Sequence, residues 1–199
     1  MTGTPTTRPG DTRQRLLDAA VTAFAERGFH GTSTRDIAAA AGMSPAAVYV
    51  HYRSKEELLD QIARTGHELT LALVRDAVAA HDAPADQLGA AVRDFAVHHA
   101  RTHAGARVVN YELAALSPEN AGAIRELRRQ ISAELRSLVE RGIADGSFDC
   151  PDPRLTATAL LSLGIDIARW YRDDLSLAPE ELGAAYAAMA LRIVGASVG

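Results

Sequence analysis

The 199-residue chain has one cysteine, one lysine, one tryptophan and only 5% aromatic residues. A lone thiol, Cys150, can neither close an internal disulfide nor build a thiolate metal cluster. A disulfide-stapled scaffold is thereby excluded, and a cytoplasmic protein is expected. No apolar run approaches the roughly 18 residues that would cross a bilayer, so no membrane partner is expected. The stretch Met1–Gly10 is polar and lacks the apolar segment of a secretory signal. There is no Gly-rich phosphate loop, nucleophile elbow or paired-carboxylate motif. The chain therefore reads as a non-enzyme without a cofactor. β-Branched runs are short, and no Asn-Gly-type dipeptide joins alternating apolar segments, so a sheet is not expected.

What is present is a composition that can bury a core: 47% hydrophobic and 23% charged residues. The net charge of −4 hides an asymmetry. Residues 1–55 hold seven Arg/Lys against four acids, net +3, whereas residues 56–199 hold 14 against 21, net −7. A modestly basic N-terminal module on an acidic body is the pattern to pursue for nucleic acid, although +3 over that length can also arise by chance.

Alanine and leucine dominate, and apolar spacing is helical. Leu16, Leu17, Ala20, Phe24 and Ala25 form one stripe over 11–27, with Gly28 as a stop. Thr34 is expected to cap a helix over 35–41 that Gly42 ends, and Ser44-Pro45 opens another over 45–51. Ser54-Lys-Glu-Glu57 reads as a capping box starting a helix toward residue 80. Further helices are expected over 86–103 (interrupted by Gly105), 106–116, 118–143 (ended by Gly142 and the Asp145-Gly146 turn), 153–172, and from 179 onward. The fold class is all-α with nine helices. The expected organisation is a flexible arm at 1–10, a DNA-binding head at 11–56 and a helical bundle at 57–199.

Residues 34–52 meet the demands of a helix-turn-helix. Ile37, Ala41, Met43 and Val48 are apolar where two short helices must pack, Ala38 is small at their crossing, and Gly42 suits the turn. Small Ala46 and Ala47 beside Ser44, Tyr49 and His51 make a surface able to enter a major groove. The expected DNA-facing set is Thr34, Arg35, Ser44, Pro45, Ala46, Ala47, Tyr49, His51, Tyr52 and Lys55. Of these, Thr34, Arg35 and Lys55 are placed toward phosphates. Tyr52 is also counted, with Phe24 and Phe29, in the core of the head. Arg8 and Arg13 read either as minor-groove contacts or as a solvated arm.

From Arg13 to Leu58 the chain resembles the TetR family of bacterial transcriptional regulators. The resemblance rests on Ala-Phe-Ala-Glu-Arg-Gly-Phe29, Gly31-Thr-Ser-Thr34, Asp36-Ile-Ala38 and Ala41-Gly-Met-Ser44. It closes on Val48-Tyr-Val-His-Tyr-Arg-Ser-Lys-Glu-Glu-Leu58, similar to the family's Tyr-x-His-Phe-x-x-Lys-Glu-x-Leu signature with Tyr52 in place of Phe. The resemblance implies a homodimer that binds double-stranded DNA at a near-palindromic operator, with a C-terminal ligand and dimer domain.

In the body, His98, His99 and His103 stand close in sequence, and His99 and His103 share a helical face. A metal would need Glu112 as a third ligand through tertiary proximity; pocket lining or plain surface is the expected role, and no metal is expected. The expected small-molecule pocket comprises Phe95, His99, Tyr111, Leu116, Leu127, Arg128, Ile131 and Trp170, on a cavity next to Trp170. The segments Asn110–Arg129 and Arg169–Arg172 are similar to family members that answer to acyl-CoA or other lipid-like ligands. On that resemblance, Arg125, Arg128 and Arg129 meet phosphates, with Arg125 and Arg129 on one face; the bland alternative is a solvated charged face. Two stripes, Leu155, Ala159, Leu163, Ile167 and Leu182, Tyr186, Met189, Ile193, are expected to pair protomers as a four-helix interface. The function so read is a ligand-responsive regulator, a repressor. The alternative is a constitutive architectural or partner-binding protein with the same head and no effector.

Overall fold

The computed structural model describes residues 9–196, and within them only helices, turns and loops occur. The nine α-helices are α1 (Pro9–Arg27), α2 (Thr34–Ala40), α3 (Pro45–His51), α4 (Lys55–Ala79), α5 (Pro84–Arg101), α6 (His103–Tyr111), α7 (Pro118–Ala144), α8 (Pro153–Trp170) and α9 (Pro179–Ile193). A 3-10 turn, Leu113–Ala115, joins α6 to α7. No helix among the described residues is long and apolar enough to cross a membrane. The arm at 1–10, with Arg8, lies almost wholly outside the described residues.

Local chemistry sets the borders of the head. Gly28 ends α1 with φ of +71°, and Gly42 makes the turn between α2 and α3 with φ of +68°. Both lie in the left-handed region that costs a side chain most. Ser33, not Thr34, caps α2. Its hydroxyl accepts from the Asp36 N–H while the Asp36 carboxylate accepts from the Ser33 N–H, a closed capping box. The Ser33 hydrogen bonds also hold the Asp36 carboxyl below the usual range. Ser44 caps α3, with Pro45 at the first helical position. Ser54 caps α4 through the Glu57 N–H, but the Glu57 carboxylate accepts from the Arg53 N–H instead of closing the expected box.

In the body, α5 ends at Arg101 and Thr102 separates it from α6, so Gly105 sits inside α6 and does not interrupt a helix. Likewise Gly142 does not stop α7, which continues to Ala144. Gly142 is buried where Phe148 crosses it, a contact a Cβ would block.

Three packed clusters organise the interior. The first joins the head residues Leu16, Ala20, Phe24, Ile37, Val48 and Tyr52 to Leu58, Leu59 and Ile62 of α4 and to Val108, Leu116 and Ile124 of the body. The second fills the far end of the bundle around Val74, Leu88, Leu138, Val139 and Leu160 and includes Cys150. A small third cluster holds Ala96, Ala100, Ile167, Tyr171 and Leu182, binding α9 to α5 and α8. Each large side chain so buried contributes about 1.5–3 kcal/mol of transfer free energy. The first cluster runs through the position expected to divide head from body, because α4 is about 37 Å long and belongs to both.

Two carboxylates stitch these parts together. Glu112, after α6, accepts from the Phe29 N–H at 3.1 Å. Glu56, in the first turn of α4, accepts from the Ser117 N–H at 2.7 Å and from the Asn120 amide at 3.2 Å. These bonds, the Ser117 N–H foremost, hold the Glu56 carboxyl below its ordinary range.

Candidate DNA interface and ligand cavity

The outer face of the head is built by α3 and the start of α2. Ser44, Pro45 and Ala46 are exposed, Ala47 and His51 half-buried, and Tyr49 is 57% exposed. Arg35 is exposed and Thr34 half-buried, its hydroxyl 3.1 Å from the Tyr49 hydroxyl, so α2 fixes the direction in which Tyr49 points. Val50, 78% exposed on the same short helix, was not among the expected contacts. A β-branched apolar residue left in solvent beside small alanines is the signal that marks it.

Two expected contacts lie elsewhere. Tyr52 is 1% exposed, and its hydroxyl accepts from Arg13 Nε at 3.1 Å, so it plugs the core. Burial foremost pushes its phenol up, against the opposing Arg13 hydrogen bond. Arg13 itself is thereby drawn toward this ring. Lys55 turns inward as well. Its Nζ donates to the carbonyls of Phe29 at 2.6 Å and Thr32 at 2.7 Å and lies 4.1 Å from the Phe29 ring centroid. Carbonyls of a tight turn need donors, and a part-buried ammonium with two of them is a structural clamp.

The body holds a cavity of about 720 Å³, walled by α1, α4, α5, α6, α7 and α8. This volume suits a small organic ligand. Of the expected pocket residues, Phe95, His99, Arg128 and Ile131 line it. The other four do not. Tyr111 is largely exposed, and Leu116 and Leu127 pack on the first cluster. Trp170 is 38% exposed at the end of α8, so the cavity is not beside it; a large apolar side chain near a helix end gave no clue to the direction it faces.

Sequence reading missed most of the wall. Gln14, Leu17, Asp18 and Val21 of α1 form one side, so the head itself closes the cavity. His67 and Thr70 of α4 form another, and both sit within the apolar stripe Leu59-Ile62-Ala63-Leu71-Val74. A polar group interrupting an apolar stripe is the sequence signal that could have found them. Burial draws the imidazoles down: His67 and His98 fall below their ordinary value, and His99 is lowered to about 4. In His67 and His99 a hydrogen bond to their own helix opposes part of that effect.

His99 and His103 do not share a site. The His99 Nδ1 lies 3.0 Å from the Phe95 carbonyl and that of His103 3.1 Å from the Ala100 carbonyl, while Glu112 is bound to the head. Among the described residues no three His, Cys, Asp or Glu side chains converge for a metal ion. A second, shallower groove of about 330 Å³, lined by Leu113, Ala121, Ile124 and Arg125, shares Arg128 with the main cavity. Arg129 turns away and pairs with Glu126 at 2.6 Å, so the basic pair at the groove is Arg125 with Arg128. The Arg129 hydrogen bonds hold the Glu126 carboxyl down to about 2.

Comparison with known proteins fits both halves. A profile described as "Bacterial regulatory proteins, tetR family" matches residues 16–62. A second, "Tetracyclin repressor-like, C-terminal domain", matches residues 81–194, more than half of the chain. The chain belongs to the TetR family. It is a DNA-binding transcriptional regulator with a helix-turn-helix head, and the family is one of regulators and not of enzymes. The TetR-family repressor KstR2 of Rhodococcus jostii is 30% identical over 181 residues, 90% of this chain and 89% of that protein. A TetR-family regulatory protein from Rhodococcus superposes with a TM-score of 0.88 at 38% identity, covering 96% of this chain and 100% of the other. The ketosteroid transcriptional regulator KstR2 of Mycobacterium tuberculosis superposes at 0.86 with 27% identity, covering 100% and 99%.

The expected dimer stripes are partly redirected within this TetR-family body. Leu155, Ala159 and Leu163 of α8 and Met189 and Ile193 of α9 are exposed, and Tyr186 is half-buried. Ile167 and Leu182 are instead fully used in the third cluster, and Trp170 takes the outward position on α8.

Proposed function

We propose that the chain is an operator-binding repressor released by a small molecule lodged in the body cavity. The observation that carries this reading is the wall: four residues of the head's own first helix, Gln14, Leu17, Asp18 and Val21, border the 720 Å³ space. A ligand that fills it presses on the element that positions α2 and α3. It therefore has differential contact with two head orientations, which a shift of equilibrium requires. The relatives' name as repressors supports the sign of the response.

Two protomers pair through the apolar patch of Leu155, Leu163, Trp170, Met189 and Ile193 on α8 and α9. Their α3 helices then enter successive major grooves of a near-palindromic duplex, roughly 34–36 Å apart. Arg35 and Thr34 meet phosphates and Tyr49 with the α3 alanines meets base edges, thymine methyls being the natural partners of the alanines. The effector's class follows from the cavity with its side groove. The apolar part lies in the cavity, while Arg125 and Arg128 at the shared border hold phosphates, as an acyl-CoA thioester would present. A protein of this fold at 24% identity was solved in complex with isovaleryl coenzyme A and operator DNA.

The test takes an operator selected from random duplexes and titrates acyl-CoA thioesters of graded length against the complex by fluorescence anisotropy. Release by a thioester but not by its free acid, weakened in Arg128→Ala, is the expected result. Retention of DNA at millimolar thioester of every length removes this ligand class.

A further inference from the structure

Six polar groups around the cavity share a bias in sense. Thr70 donates its hydroxyl to the Gly66 carbonyl at 2.8 Å, Thr102 to that of His98 at 2.7 Å, and Ser162 to that of Thr158 at 2.8 Å. The Asn110 amide donates to the Ala106 carbonyl at 2.9 Å. His67 and His99 follow the same rule, with Nδ1 2.8 Å from the Ala63 carbonyl and 3.0 Å from the Phe95 carbonyl. Since a carbonyl only accepts, each Nδ1 carries the proton, and each Nε2 is left with a lone pair. Both imidazoles are 4% exposed and line the cavity. Neither Nε2 has a hydrogen-bond partner among the described residues, yet no buried side-chain nitrogen or oxygen is sealed without one. The two Nε2 atoms therefore open onto the cavity space. Helix backbone has consumed the donors of these groups and left the two imidazole acceptors facing inward.

We infer that the buried part of the effector is a neutral, largely apolar skeleton carrying a hydrogen-bond donor, a hydroxyl above all, which His67 and His99 accept through Nε2. The inference rests on the reading of the cavity as an effector site and names what that site selects. A ligand without a donor leaves both lone pairs desolvated and unpaired, the costly case for a buried polar group. A carboxylate faces two lone pairs and repels them, unless the imidazoles are charged. Around these rings stand His98 on α5, Asp18 on α1 and Arg128 on α7; the arginine also borders the groove, and its charge opposes protonation of His67. Phe95, stacked on the His99 ring at 4.1 Å, holds that ring in place and supplies apolar wall beside it.

Three probes of similar size separate the possibilities: 1-octanol, octyl methyl ether and octanoate, each titrated calorimetrically into the full-length protein at pH 8 without DNA. Octanol binds about tenfold tighter than the ether, and octanoate no better than the ether. In His99→Phe and His67→Leu the preference for octanol shrinks to about twofold. Long-range ¹⁵N spectra of the wild-type imidazoles give a readout that needs no variant. Both rings are Nδ1–H tautomers, and octanol moves their Nε2 resonances while the ether does not. Equal binding of ether and alcohol, a preference for octanoate, rings carrying the proton on Nε2, or binding of none of the three overturns the inference. Donor-selective binding that never releases operator would overturn the effector reading and leave the site standing. Release of operator by donor-free thioesters as readily as by hydroxylated ones does the reverse.

Discussion

Replacing His99 with Phe should flatten the acid side of the protein's stability profile. Burial lowers this imidazole from an ordinary value of 6.5 to about 4, so it is neutral in the folded chain across the working range. The unfolded chain takes up a proton below 6.5. The sign follows: the His99 contribution is complete above pH 6.5, declines as pH falls, and levels off below about 4. The gap between the two values corresponds to about 3 kcal/mol in full, and about 2 kcal/mol of it is lost between pH 8 and pH 5. A phenyl ring keeps the stack on Phe95 and removes the titrating group, so between pH 8 and pH 5 the wild type loses about 2 kcal/mol more than the variant does. Urea denaturation followed by circular dichroism at pH 8, 6.5 and 5, at one fixed protomer concentration, measures the difference. His67 and His98 are shifted in the same direction and steepen both profiles alike. If the wild-type and His99→Phe profiles run parallel from pH 8 to pH 5, the buried neutral imidazole is refuted.

Other perturbations separate DNA contact from structure. Arg35→Ala and Tyr49→Ala each weaken operator binding by about 1–3 kcal/mol with the melting temperature nearly unchanged, which anisotropy and calorimetry together check. Lys55→Ala breaks the clamp on Phe29 and Thr32 and lowers stability by about 2–4 kcal/mol; an unchanged melting temperature with weakened DNA binding would return Lys55 to the phosphates. Leu163→Glu with Met189→Glu buries uncompensated charge in the proposed α8–α9 interface and yields monomers in sedimentation; an intact dimer moves the interface elsewhere.

The head was legible because its signals are local. Gly28 and Gly42 mark positive φ, Ser44-Pro45 marks a helix start, and Ile37, Ala41 and Val48 recur at helical spacing. The direction of Lys55 was not legible. Nothing at neighbouring positions says that two carbonyls 26 and 23 residues earlier come within reach of its ammonium. The cavity was half legible for the same reason. Phe95, His99, Arg128 and Ile131 come from two helices whose inner faces periodicity could guess. Gln14 and Asp18, polar residues on the outward side of α1, join the wall only because α6 packs against that helix. Trp170 shows the converse. Size and apolarity suggested an interior position, whereas Ile167 and Ala168 take the inner face of α8 and leave the indole outside.

The α1 wall makes the cavity and the orientation of the head one thermodynamic object. If moving the head reshapes the space, DNA and small molecule oppose each other without ever touching. Operator binding must then weaken the ligand by the same factor by which the ligand weakens the operator. A cell holding excess operator sites would thus raise the ligand concentration needed for half-response, and a truncated body lacking α1 would lose a wall of its cavity together with its DNA binding.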